Sequence, residues 1–183
     1  MTLALLGLGS NVGNGPGNLL KAWHSLGLIK KVRPSRLSSP YITKPVNTRP
    51  REGTCNLTLS KRWFTNAVAT VETDLSPLAL LQEIRRIETE QGRDRKKSRD
   101  RILDLDLLYY NDLVLAASDL ILPHPEIENR IFVLAPLEEL APDFLHPVLL
   151  MTTTEMRRQL TDPDQIVKKL TWPKKGDTPF DSA

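Results

Sequence analysis

The chain has 183 residues, 40% of them apolar, and 25 Lys and Arg stand against 22 Asp and Glu for a formal charge of +3. That length suits one buried core and is short for two full domains, while the single cysteine, Cys55, excludes an internal disulfide and fits a reducing, cytoplasmic compartment. The small charge excess permits a phosphate-bearing small ligand as readily as a nucleic acid.

Residues Thr2 to Leu8 read as a buried strand: no basic leader precedes them, and Gly7, Gly9, Ser10 and Asn11 interrupt the apolar run before a signal core or membrane span is complete. The turn-rich "GSNVGNGPGN" leads into helical spacing at Leu19, Ala22, Trp23 and Leu26, which Gly27 is expected to stop. "LIKKVRPSRLSSPYITKPV" mixes β-branched residues, charges and prolines and reads as an irregular or edge strand. Residues 47–62 read as a long polar loop of the kind that covers a site, and "WFTNAVATVET" as a strand. Ser76 and Pro77 supply an N-cap and a first helical position for a helix with Leu80, Ile84 and Ile87 on its apolar stripe, ending near Gly92.

Six cations (Arg93, Arg95, Lys96, Lys97, Arg99 and Arg101) then crowd into nine residues, followed by "RILDLDLLYY". On a strand over 101–108, Asp104 and Asp106 share one face while Leu103, Leu105 and Leu107 fill the other. Adjacent carboxylates repel unless a cation sits between them, and magnesium, a hard ion taking oxygen ligands together with waters and phosphates, is the natural one. On the Asp-x-Asp pair alone, two solvated carboxylates on an exposed face remain an alternative. The arginines add paired donors for phosphate oxygens; a solvated basic loop or a nucleic-acid patch also fits them, although aromatics that could stack bases are absent from the loop.

"NDLVLAASDLILPHPEIE" reads as a hairpin-like excursion and "NRIFVLAPLEELAP" as a helix closed by Pro142; past His146 the pattern weakens. The order favours an α+β class with a ferredoxin-like βαββαβ core, a mainly antiparallel sheet with helices packed on it. Residues 1–160 are read as one domain and 161–183 as a partly disordered extension, frayed from Trp172 onward. The glycine-rich turn matches neither the dinucleotide fingerprint nor a P-loop. His24, His124, His146 and Cys55 lack zinc spacing, and no Gly-x-Ser-x-Gly elbow occurs.

In order and spacing, "LGLGSNVG", "SSPYITKPV", "FTNAVATVET", "QGRDR", "RILDLDLLYY" and "LPHPEIENRIFVLAPL" resemble the 6-hydroxymethyl-7,8-dihydropterin pyrophosphokinases of folate biosynthesis, from about Leu3 to Pro147. The resemblance implies an enzyme that transfers pyrophosphate from ATP to the pterin hydroxymethyl oxygen, with two Mg2+ ions and AMP as the other product. It implies Asp104 and Asp106 as metal ligands and Arg93 and Arg101 as catalytic arginines. Asn11, Thr43, Val46, Phe64, Asn66 and Phe132 fall on the pterin side, and Glu88, Arg95, Arg99, His124 and Arg130 on the nucleotide side. It implies small-molecule substrates and a monomer, with neither membrane nor nucleic acid as partner. The chain departs from the family in "KKSRDR", which is short and lacks a Trp, in the longer stretch between Val46 and Asn66, and in Asp119 and Ile121, which replace polar or basic nucleotide contacts. A non-catalytic pterin- or nucleotide-binding homologue is the alternative these departures raise.

Overall fold

The strand Thr2–Ser10 (β1) carries buried side chains on both faces, Leu5 on one and Ala4, Leu6 and Leu8 on the other, as a central strand must. It is the second of the strands in a computed structural model that describes residues 1–45, 63–92, 101–160 and 166–173. β1 pairs antiparallel with Phe64–Thr73 (β4) from Thr2↔Thr73 to Ser10↔Thr65, and on its other side with Asp104–Tyr110 (β5). Val32–Leu37 (β2) and Tyr41–Thr43 (β3) follow one another along the far side of β4, and Ile166–Lys169 (β8) adds to β3. The order is β5-β1-β4-β3-β8, with β2 also on β4, and every pairing is antiparallel. A short hairpin, Leu115–Ala116 (β6) with Ile121–Leu122 (β7), follows β5, matching the predicted excursion.

The helix Gly15–Leu28 (α1) starts where Asn14 accepts from Gly17 N at 3.1 Å, and it runs through Gly27, which was expected to end it. Burial of Leu26 and Ile29 outweighs glycine's propensity cost of about 1 kcal/mol, and Lys31, at φ 70°, makes the left-handed turn instead. The helix Pro77–Glu90 (α2) begins as predicted, with Ser76 Oγ accepting from Ala79 N, and buries Leu80, Ile84 and Ile87. α1 and α2 cover one face of the sheet. Ile131–Leu140 (α3) covers the other and is buried on most sides, because Thr153–Gln159 (α4) packs outside it.

The predicted irregular strand resolves into β2 and β3 because Ser38 stands between them, donating its N–H to Val68 O while its Oγ accepts from Val68 N, both at 2.9 Å. The expectation of fraying from Trp172 onward needs correcting at Trp172 itself. Within 161–183, β8 is part of the sheet, and Trp172, expected to be frayed, donates Nε1–H to Ser38 O at 2.9 Å and packs against the core. Backbone pairing and a half-buried, hydrogen-bonded indole offset the cost of ordering this short polar strand. Among the described residues no helix is long and apolar enough to cross a membrane.

The start of α1 rests against β4 without clearance: a Cβ on Gly15 would lie 2.1 Å from Thr65 Oγ1 and 2.7 Å from Thr65 Cβ. Gly15→Ala should therefore lower unfolding stability by about 1–3 kcal/mol in urea titration; an unchanged midpoint would show that α1 can retreat without loss.

Candidate active site

Residues directly opposed in a sheet share a face. On the α3 side, one row of opposed residues runs Asp104, Gly9, Asn66, Tyr41, and the adjoining row runs Asp106, Gly7, Val68. The two glycines leave a bare strip between the carboxylates of β5 and the carboxamide of β4. A Cβ at Gly9 would stand 3.1 Å from Asn66 Oδ1 and 3.8 Å from Asp104 Cβ, filling that strip. Leu103, Leu105 and Leu107 are buried against the opposite, α1/α2 side.

The strand begins at Asp104, three residues later than predicted, with Arg101 in the preceding segment. Asn11 fastens that segment: its N–H donates to Arg101 O at 3.0 Å and its Oδ1 accepts from Arg101 N at 2.6 Å. Asn11 thereby positions Arg101, whose guanidinium forms an ion pair with Asp104.

Asp104 and Asp106 are both half-buried on that face. Burial raises the Asp106 pKa above 3.8, and the neighbouring Asp104 raises it further, against the lowering pull of His124, Arg130 and Arg101. These five residues thus form one electrostatic cluster. His124 is fixed by its own N–H, which donates to Leu108 O at 2.9 Å, and its Nδ1 accepts from Glu126 N at 3.3 Å. Burial lowers the His124 pKa despite Asp106, so the imidazole is held neutral with its proton on Nε2. A cavity of about 290 Å3 opens beside Asp106 and His124, with Arg85, Ser118 and Asp119 also on its wall.

Farther along the floor, Asn66 is buried and donates Nδ2–H to Thr43 Oγ1 at 2.8 Å, while Phe64 opposes Thr43. Phe132 lies in the first turn of α3, half-buried, with the Arg130 guanidinium 5.7 Å from its ring centroid. The structure thus brings Asp104, Asp106, Arg101, Asn11, Asn66, Thr43, His124, Arg130 and Phe132 to one side or rim of the sheet.

Glu88, assigned by resemblance to the nucleotide side, is 1% exposed, and its Oε1 accepts the Leu105 N–H at 2.8 Å, bracing β5. Val46, Arg93, Arg95 and Arg99 lie outside the described residues, as does the predicted loop 47–62. Sequence reasoning missed the floor role of Gly7 and Gly9, although a Gly-x-Gly with the same period-two spacing as Asp-x-Asp was a signal for it.

The donor set suits a hard divalent cation. Two carboxylates share a face, and burial together with the neighbouring Asp104 disfavours the charge on Asp106, which a cation would relieve; among the described residues no group of three or more His, Cys, Asp and Glu stands ready to hold a metal without other ligands. Waters and substrate phosphates would complete such a shell, as magnesium prefers.

The family described as 7,8-dihydro-6-hydroxymethylpterin-pyrophosphokinase matches residues 5–142. The chain belongs to that family. A 2-amino-4-hydroxy-6-hydroxymethyldihydropteridine pyrophosphokinase of Haemophilus influenzae is 35% identical over 91% of this chain and 98% of its own, and the Synechocystis protein of that name is 37% identical over 79% and 69%. The Dictyostelium discoideum folic acid synthesis protein FOL1 is 34% identical over 90% of this chain, which spans only 23% of that longer relative. The solved Plasmodium falciparum HPPK-DHPS with pteroate shares the fold, with a TM-score of 0.66 at 17% identity over 86% of this chain and 42% of that one.

The raised Asp106 pKa has a consequence for this pyrophosphokinase without metal. A carboxyl whose folded pKa exceeds its unfolded value stabilises the fold below the unfolded pKa, and that contribution is lost as pH rises through the folded one. Asp106→Asn should therefore raise the urea midpoint at pH 7 in EDTA, with the gain shrinking towards pH 3.8 and below. An Asn variant no more stable than its parent at pH 7 would contradict this electrostatic account.

Proposed function

We propose that the carboxylate strip and the Asn66 row are where this pyrophosphokinase joins ATP to 6-hydroxymethyl-7,8-dihydropterin. The carrying observation is the row Asp104–Gly9–Asn66: phosphate-directed and heterocycle-directed groups stand two strands apart, roughly 10 Å, on one open face. That span accommodates a fused two-ring heterocycle between the amide and the carboxylates. In the transfer, the pterin hydroxymethyl oxygen attacks the β-phosphorus of ATP, the bond from that phosphorus to the oxygen bridging to the α-phosphorus breaks, and AMP leaves.

Asn66 and Thr43 present a donor-acceptor pair to the edge of the pterin, and Phe132 offers a face for the ring. Arg101 and Arg130 are placed to meet phosphate oxygens as charge shifts toward the leaving AMP. Neutral His124 can donate Nε2–H to a phosphate oxygen without adding charge. Magnesium, two ions by family resemblance, would be held by Asp104 and Asp106 and would neutralise phosphate charge and help align the reacting oxygens. Arg93, Arg95, Arg99 and Val46 join these roles on sequence grounds alone. The all-antiparallel order β5-β1-β4-β2 supports a ferredoxin-like core, and we place the enzyme as a cytoplasmic monomer.

Release of AMP from MgATP and hydroxymethyldihydropterin by the purified chain tests the reading, and no AMP above background would end it. Asp104→Asn should lower turnover on the order of a hundredfold or more while circular dichroism stays unchanged; retention of parental turnover would remove Asp104 from the reaction.

A further inference from the structure

The C-terminal strand reaches the site through a second carboxylate. Glu139, in the last turn of α3, accepts Ser39 N at 3.0 Å and Ser39 Oγ at 2.9 Å with Oε1. Its Oε2 accepts Tyr41 OH at 3.0 Å and pairs with Lys169 Nζ of β8, also at 3.0 Å. Lys169 additionally lies 5.6 Å from the Tyr41 ring centroid and is the direct partner of Tyr41 across the β3/β8 pair. Four donors on one half-exposed carboxylate are more than a surface ion pair needs.

The connected parts are those that carry the pterin groups. Tyr41 opposes Asn66 in the sheet and lies two residues before Thr43, the partner of the Asn66 side chain. Its ring packs on Ile131 and Ala135, flanking Phe132 in the first turn of α3. Tyr41 therefore runs along α3 with its ring against the end that bears Phe132 and its hydroxyl on Glu139 at the other end. β8 closes over Tyr41 from outside, with Thr43 opposite Ile166.

We propose that Tyr41, Glu139 and Lys169 form a clamp by which the C-terminal strand sets the separation between the Phe132 face and the Asn66–Thr43 edge, making them positioning residues for the pterin. This rests on the pterin assignment above. Of the nucleotide-side groups, Asp106, His124 and Arg101 belong to β5 and its neighbouring segments, three strands away from β3, and only Arg130 stands at the start of α3, so the clamp acts chiefly on the pterin. Magnitude follows from the bonds lost: one hydrogen bond or one semi-exposed ion pair changes a binding constant by up to about tenfold.

The test uses the full chain with Tyr41→Phe, which keeps the ring and removes the hydroxyl, and Lys169→Met, which keeps the side-chain length and removes the charge; Lys169→Arg is the rescue. Steady-state AMP release should show KM for hydroxymethyldihydropterin raised about fivefold in the first two variants, KM for MgATP within about twofold of the parent, and near-parental values for Lys169→Arg. Equal pterin KM values in parent and variants would overturn the clamp. So would both KM values rising together in step with a fall in Tm, which marks a purely structural tie. Absence of AMP release from the parent would instead sink the assigned reaction, and fluorescence titration of the same variants with 6-hydroxymethylpterin would still read the clamp through pterin affinity.

Discussion

One strand makes both the core and the site because its odd-numbered residues change character half-way. Leu3 and Leu5 of β1 pack beneath α3, whereas Gly7 and Gly9, on the same face, have no side chains to pack. The first half is closed by apolar burial and the second half is left open between two Asp residues and Asn66. Leu6 and Leu8 continue the opposite face without interruption, so the opening has little cost in the layer under α1 and α2. A side chain at Gly9 would fill the strip between Asn66 and Asp104, and one at Gly7 would press on Leu108.

Carboxylates are then distributed by what satisfies them. Glu88, almost wholly buried, takes a backbone N–H from the edge of β5 and serves as an internal brace. Glu139 takes four donors, whose hydrogen bonds hold its carboxyl below the usual range although burial pushes the other way. Asp106 differs: burial and Asp104 dominate, and its ionised form is disfavoured. Glu88 and Glu139 are thus satisfied by hydrogen bonds within the fold, whereas His124, Arg130 and Arg101 only partly offset the burial of Asp106, which makes Asp106 the candidate among the three for a ligand from outside the chain.

Much of this was legible in the sequence, for reasons that differ by element. β1, α1, α2 and β5 announce themselves by periodicity because each has one strongly apolar face, and Asp104 and Asp106 stand out as exceptions within such a pattern. α4 was harder: at seven residues its apolar stripe is too short to read, although Thr152 and Glu155 form a capping box that marks its start. β8 was illegible by composition, since its lysines look like a solvated tail and its reason to pair lies in Tyr41 and Glu139, distant along the chain. Gly27 misled because tertiary burial of Leu26 and Ile29 overrode a local propensity.

Site residues divided along the same line. Asp104 and Asp106 lie on one strand, so their spacing alone places them on one face, whereas Asn66 joins them only through the cross-strand register and Phe132 only through the packing of α3. Asn11 and Glu88 were harder to assign, because their bonding is decided by partners far away in sequence, Arg101 N and Leu105 N. Both ended as supports for β5 and its approach, one holding the Arg101 segment and the other bracing the strand edge. A polar residue beside a site is thus a ligand group only when the backbone around it is already satisfied; where an edge N–H is left over, the side chain is taken up by the fold first.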